Sequence, residues 1–397
     1  MFLFDRERTG RIPNSHTFEQ LPQEEWRIHF KQDPVRCAES TPVFDQHGNL
    51  YFGSHNGSIY ALSPEGKILW QFVTETKVYS SPMLIDDKLY IGCNMSTLLC
   101  LNLQGELVWQ YDGYKAYASQ SKLKRLQLNA YTYLNYDYEF KKFMKINTWT
   151  SPNLVNNQYV AFVFYGIGLV LLDKDTGNVQ WKKDLGSPSF HLAGVAVTNV
   201  NGKDFIAVCG QNSGLFWFDA DGNLQWKTKA FGRSNAWANP SIDAAENCIY
   251  HSESYFNKKS ILYKTDFNGK TIWKKEFQFG CRATVGISNS DFIVFLGLNG
   301  TVYFLSKKDG SQLASREIAS KDRGLWTSPS IMANHSVLIN TKKTVKKGSL
   351  ICLSPQAEIN WEINYAKALS VPTIDEQGNL YTATWAGDFY KFKNVNS

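Results

Sequence analysis

The chain has 397 residues, a net charge of +6 and 14% aromatic residues. That charge is too small to argue for a nucleic-acid surface, and it is concentrated locally: segment 111–148 holds Lys115, Lys122, Lys124, Arg125, Lys141, Lys142 and Lys145 against Asp112, Asp137 and Glu139. No apolar run approaches the ~20 residues of a membrane span, so neither nucleic acid nor membrane is expected as a partner.

The first residues, Met1-Phe2-Leu3-Phe4, run straight into Asp5-Arg6-Glu7-Arg8 without the apolar core of a signal peptide. Seven scattered cysteines (Cys37, Cys93, Cys100, Cys209, Cys248, Cys281, Cys352) fit buried free thiols in a reducing compartment. Both features lead to the expectation of a cytoplasmic protein. Residues 1–24, with Pro13 and Pro22, read as an irregular segment of unknown role. Glu25-Trp26-Arg27-Ile28-His29-Phe30 then reads as a lone strand.

From residue 40 onward the chain repeats itself. Each unit opens on a Ser/Thr-Pro step, passes Tyr-x-Gly and Gly-x-aliphatic-Tyr, and closes with Gly, three residues, then Trp. Ser40-Thr41-Pro42 through Gly66-Lys67-Ile68-Leu69-Trp70 is the clearest copy, and Ser80-Ser81-Pro82 through Gly105-Glu106-Leu107-Val108-Trp109 is the next. A period of about 40 residues with four short strands per unit is the signature of propeller blades. The closing tryptophans stand at Trp26, Trp70, Trp109, Trp181, Trp226, Trp273 and Trp361; one slot is degenerate, with Ala314 where the tryptophan belongs after Gly310. The last unit, through Val371-Pro372-Thr373 and Gly387-Asp388-Phe389-Tyr390-Lys391-Phe392, lacks its fourth strand. The expected fold is therefore all-β: an eight-bladed propeller over 25–397, whose last blade takes its outer strand from the N-terminus and so hides two sheet edges.

Between the second and third units lies an insertion, 111–148, with seven tyrosines and a helix-like spacing of Leu123, Leu126, Ala130, Leu134 and Tyr138. Two readings stand side by side: a lid over the central funnel, or an arm that grips a partner protein.

The repeat resembles the pyrroloquinoline-quinone-type (PQQ-like) propeller repeat of quinoprotein dehydrogenases and of BamB-type assembly lipoproteins. Leu171-Leu172-Asp173-Lys174-Asp175-Thr176-Gly177-Asn178-Val179-Gln180-Trp181 is the closest match, and it follows that family's tryptophan-docking motif, in which each tryptophan packs between neighbouring blades. Quinoproteins also carry a vicinal cysteine pair and a metal site. Here no two cysteines are adjacent and no carboxylate cluster has ligand spacing, so no cofactor and no metal is assigned from the sequence.

In a propeller the loops that enter the innermost strands ring one mouth of the central channel. The residues three before each Pro position are Glu39, Tyr79, Trp149, His191, Trp237, Arg282, Trp326 and Leu369. Aromatic walls with a carboxylate, an imidazole and a guanidinium suit a small-molecule site. Glu39 and His191 are candidate base and acid and Arg282 a candidate anion clamp, with Tyr79, Trp149, Trp237 and Trp326 as binding walls. A second ring, from the loops between strands two and three, adds Trp385, His55 and Glu253; its Asn56-Gly57 and Asn299-Gly300 pairs read as turns. The expectation is a propeller that binds a small molecule in its funnel, with catalysis left open: a binding protein, or a metal-independent acid–base enzyme of cyclase, isomerase or lyase type. An interaction scaffold is the alternative, and a PQQ-dependent dehydrogenase ranks below both. The Asp175-Thr176-Gly177 triplet is read as a structural turn.

Overall fold

The computed structural model describes residues 3–30, 40–74, 77–93, 97–123, 125–126, 150–164, 166–185, 193–210, 212–230, 237–255, 258–319, 324–344 and 346–395. They form eight four-stranded antiparallel sheets, each built from strands consecutive in sequence except one. Blades 1 to 7 span 43–73, 83–112, 153–183, 195–227, 241–277, 286–317 and 330–366. Blade 8 combines Thr373–Ile374, Leu380–Ala383 and Asp388–Lys393 with Gln23–His29 from the other end of the chain, which pairs antiparallel to Asp388–Lys393.

Within a blade the burial pattern follows strand position. The middle strands are buried along their whole length, as in Leu50–Ser54 and Ser58–Leu62, because both faces meet a neighbouring blade. The outer strands alternate, as in Ile68–Val73, because one edge meets water. The apolar core accordingly lies between blades: Val43, Tyr51 and Ile59 of blade 1 pack with Leu89, Ile91 and Leu99 of blade 2 in one such cluster.

The recurrent Gly-Asn-Leu-Tyr has a local cause. Asp45 accepts from the His47 and Asn49 backbone N–H groups, from Asn49 Nδ2 and from the Tyr51 hydroxyl, at 2.8–2.9 Å. Asp375 holds Asn379 and Tyr381 in the same way. One carboxylate thus folds the hairpin between the first two strands and satisfies a buried tyrosine.

The tryptophans bind blade to blade. Each indole N–H donates to a carbonyl of the next blade: Trp26 to Pro64 (2.9 Å), Trp70 to Leu103 (2.7 Å), Trp109 to Lys174 (2.9 Å), Trp181 to Ala220 (2.9 Å), Trp226 to Phe267 (2.7 Å) and Trp273 to Lys307 (3.0 Å). In each case the ring covers the glycine two or three residues after that carbonyl, where a Cβ would sit 2.7–3.2 Å from an indole carbon. Blade 6 departs from this pattern twice. Ala314 takes the tryptophan position, and the glycine it would cover is replaced by Ala357, held at φ 64°. Trp361 meets blade 8 differently: its N–H donates to the Phe18 carbonyl at 2.9 Å, so the N-terminal segment supplies the missing turn.

That segment, unassigned in the sequence, lines the inside of the ring. The backbone N–H groups of Val197, Ile242, Ile287 and Ile331, in the inner strands of blades 4 to 7, donate to the carbonyls of Arg6, Glu7, Thr9 and Gly10 at 2.7–2.9 Å. Asn14 then reaches the Asp375 carbonyl of blade 8. Arg8 is fully buried; its guanidinium donates to the carbonyls of Val195 (3.0 Å) and Pro152 (2.8 Å). Arg6 pairs with Asp204 at 2.6 Å.

After blade 2 the insertion begins as a short helix, Gly113–Ala118, capped by Asp112 accepting from the Lys115 N–H. Ala116 and Tyr117 pack against the interface of blades 2 and 3. Most of the stretch with helix-like spacing, Leu123 to Tyr138, lies outside the described residues. No helix among the described residues is long and apolar enough to cross a membrane. The Asp175-Thr176-Gly177 triplet is a turn: Asp173 accepts from the Asp175 and Thr176 N–H groups and from the Thr176 hydroxyl.

Candidate functional site

The Ser/Thr-Pro step builds the throat of the propeller. The residue before the Pro position donates its backbone N–H to a side chain at the same position one blade on: Thr41 to Ser81 (2.9 Å), Ser81 to Ser151 (3.1 Å), Gly194 to Asn239, Asn239 to Thr284 (3.2 Å) and Thr284 to Ser328 (3.0 Å). The residue one earlier faces its own blade, with Ser40 and Ser80 accepting from the Gly53 and Gly92 N–H groups. Short side chains with an acceptor oxygen, Ser, Thr or Asn, suit this position because each reaches only the loop of the adjacent blade.

This belt also fixes the register of the ring above it. Gly194 occupies the position before the proline, and Ala196 pairs with Ala207 as Val43 pairs with Tyr51. In blade 4 the Pro position is therefore Val195, not Gly194, and three residues back is Leu192 rather than His191. Degenerate sequence in this one blade concealed the single-residue offset. Glu39, Trp149 and His191 themselves lie outside the described residues.

The remaining candidates meet in pairs across blade boundaries. Tyr79 of the first ring and His55 of the second are both buried, with ring centroids 4.2 Å apart. On the opposite arc the Arg282 guanidinium lies over both Trp237 and Trp326, 4.3 and 4.1 Å from their ring centres. Lys342, from the second ring of blade 7, also lies over Trp326, at 4.3 Å. Beyond it Lys367 lies 3.3 Å over Trp385, whose backbone N–H donates to the Lys367 carbonyl. Blades 5 to 8 therefore present a continuous arc of indoles and cations. Indole faces attract cations through the ring quadrupole, more strongly where water is excluded. Lys342 belongs to the second ring by spacing but is not among the site residues singled out from the sequence, and Lys367, two residues before the ring position Leu369, lies outside both rings. Leu369 is buried and apolar.

Glu253 is buried, and the Tyr255 hydroxyl donates to its Oε2 at 2.8 Å. Burial and this carboxylate together push the Tyr255 phenol far above its ordinary range. The Cys209 thiol is likewise pushed up, mainly by burial and further by Glu253. Two residues before Glu253, the imidazole of His251 is stacked on Tyr263 at 4.8 Å, and burial lowers its pKa to about 3, so it stays neutral. Asn56 and Asn299 do serve their turns: their side chains donate to the Tyr60 and Tyr303 hydroxyls at 2.7 and 2.8 Å. Among the described residues no group of three or more His, Cys, Asp or Glu side chains is placed to hold a metal ion.

The fold and throat define a PQQ-like β-propeller. The family model described as outer membrane protein assembly factor BamB matches residues 22–134 and 167–393, and the chain belongs to that family. No curated protein matches it. Among solved structures, BamB from Moraxella catarrhalis is 15% identical and aligns over 94% of this chain and 100% of its own, with a TM-score of 0.69. The computationally designed Ika8 protein is 10% identical over 94% of this chain and 99% of its own, with a TM-score of 0.64. A europium-containing methanol dehydrogenase, 10% identical, covers 99% of this chain and 97% of its own at a TM-score of 0.60. At these identities the likeness is one of fold.

Proposed function

We propose that this protein binds a small anionic molecule in the funnel, held by the arc of Arg282, Lys342 and Lys367 on Trp237, Trp326 and Trp385. The observation that carries this reading is that three cations from three blades converge on indoles at one mouth of the channel. Stacking engages the flat face of a guanidinium, so its N–H edge is the part that recognises a carboxylate or phosphate. The tryptophans therefore act chiefly as platforms for the protein's own cations. With His191 one residue off the ring register, acid–base turnover would fall to Glu39, with Arg282 as the clamp; a lid would fall to 111–148. A quinone polycarboxylate suits the cations and indoles, but the described residues offer no metal-binding carboxylate cluster and the sequence no adjacent cysteines, so no redox step is assigned.

Native mass spectrometry of the protein purified from its own cells tests this, by comparison with the denatured mass. An added small mass that leaves on denaturation and is missing from Arg282→Ala supports the reading. Absence of any adduct, with no thermal shift on adding mono- and diphosphate esters, polycarboxylates or pyrroloquinoline quinone, refutes it. Membership of an assembly-factor family favours a second reading, an interaction scaffold, for which the same spectrum would instead carry a co-purifying polypeptide.

A further inference from the structure

The outer strand of each blade leaves one row of backbone N–H and C=O groups facing outward, the position at which a foreign strand can add. Proteins protect such edges with charge. Here Gln23–His29 carries Glu24, Glu25 and Arg27; Val179–Lys183 carries Lys182 and Lys183; Leu224–Lys227 carries Lys227. Thr271–Phe277 carries Lys274, Lys275 and Glu276, Gln312–Glu317 carries Arg316 and Glu317, and Ile359–Ala366 carries Glu362.

Blade 1 lacks this protection. Its outer strand, Ile68-Leu69-Trp70-Gln71-Phe72-Val73, has no charged residue, and Ile68, Leu69 and Val73 are 53%, 51% and 72% exposed. On the neighbouring blade, Leu107–Asp112 reaches a charge only at its last residue, and Leu107 and Val108 are 46% and 45% exposed. Among the described residues Ile68–Val73 pairs on one side only, with Ser58–Leu62.

We infer that the outer edge of blade 1 is a docking surface for an extended, uncharged, apolar-alternating strand of a partner protein, which adds as a fifth strand beside Ile68–Val73, with Leu107 and Val108 widening the contact. Charge matching selects this occupant. A charged strand would lose water at this edge and find no opposite charge along it, whereas at the other six outer edges an uncharged strand would bury charges. Main-chain hydrogen bonds supply the attachment, and the apolar side chains supply the gain on burial. The surface lies on the outside of the ring, so the inference is independent of the funnel reading.

The test uses the full chain and a fluorescein-labelled, end-capped peptide of alternating threonine and valine, about six residues long, the usual strand length. Fluorescence anisotropy should rise saturably with the wild-type protein. The double variant Leu69→Lys/Val73→Lys should bind at least tenfold more weakly, as should a peptide with alternate amides N-methylated. Both substitutions are at exposed positions, and circular dichroism checks that the variant folds. Hydrogen exchange gives a second measurement, with amides of 68–73 gaining protection on peptide addition. No saturable binding, equal binding by the lysine variant, or equal binding of the methylated peptide overturns the inference. So does concentration-dependent dimerisation of the protein alone that the lysine pair abolishes, which would make a second copy of this chain the occupant.

Discussion

The seam between blades 6 and 7 carries two alanines where every other described tryptophan–glycine seam has the larger and the smaller residue, and this gives a sharp test of what holds the ring together. In six seams an indole covers a glycine so closely that a Cβ would approach it to 2.7–3.2 Å. Ala314 and Ala357 have exchanged this for a smaller ring-side residue and a larger turn residue, and both pack in one cluster. Restoring only the indole, Ala314→Trp, forces it against the Ala357 methyl group and should cost about 1–3 kcal/mol, as overpacking does. Ala357→Gly alone should be close to neutral. It relieves a left-handed residue (φ 64°), worth about 1–2 kcal/mol, but it loosens the unfolded chain and leaves a gap. Together the two substitutions recreate the seam, and the indole gains a hydrogen bond of about 1 kcal/mol to the Pro355 carbonyl. Urea unfolding of the four proteins should therefore show a favourable coupling on the order of 2 kcal/mol. If Ala314→Trp has the same effect in both backgrounds, to within about 0.5 kcal/mol, the indole-on-glycine contact is not what specifies the seam.

Other outcomes follow from the same contacts. Trp226→Phe keeps the ring but loses the bond to the Phe267 carbonyl, and thermal unfolding should register a loss of about 1 kcal/mol. Arg8→Met removes the guanidinium from the buried carbonyls of Val195 and Pro152; a loss of about 2–3 kcal/mol in urea is expected, and an unchanged midpoint would show these bonds to be dispensable. Burial raises the Asp5 pKa to about 6, against the opposing bonds from Thr9. The folded protein then holds a proton that the unfolded chain has already released, so stability falls as pH rises from about 4 to 6, by at most about 3 kcal/mol, and Asp5→Asn should flatten that slope. Burial pushes the thiols of Cys100, Cys248 and Cys352 up to about 12 and that of Cys281 to about 11; a thiol reagent at pH 8 should label them only as the protein unfolds.

What the sequence determined by itself was the fold. Blade number, the sharing of blade 8 between the termini and the empty slot at Ala314 were all legible, because each blade repeats the same local requirements. A short residue is needed at the throat, a left-handed glycine in the turn, and an indole to cover it. Requirements that recur every blade survive one degenerate copy, and even the offset at Val195 left the count intact. The candidate site was legible only as membership of two rings: the positions of Tyr79, Trp237, Arg282, Trp326, His55 and Trp385 follow from spacing. Their pairing did not follow, since it depends on which side chains lean across a blade boundary and on a cation, Lys367, that stands outside both rings. The N-terminal segment was the furthest from reach. Residues 6–12 have no periodicity because they conform to the inner strands of blades 4 to 7 instead of repeating themselves, and only the closed ring provides the row of backbone donors that holds them in the channel.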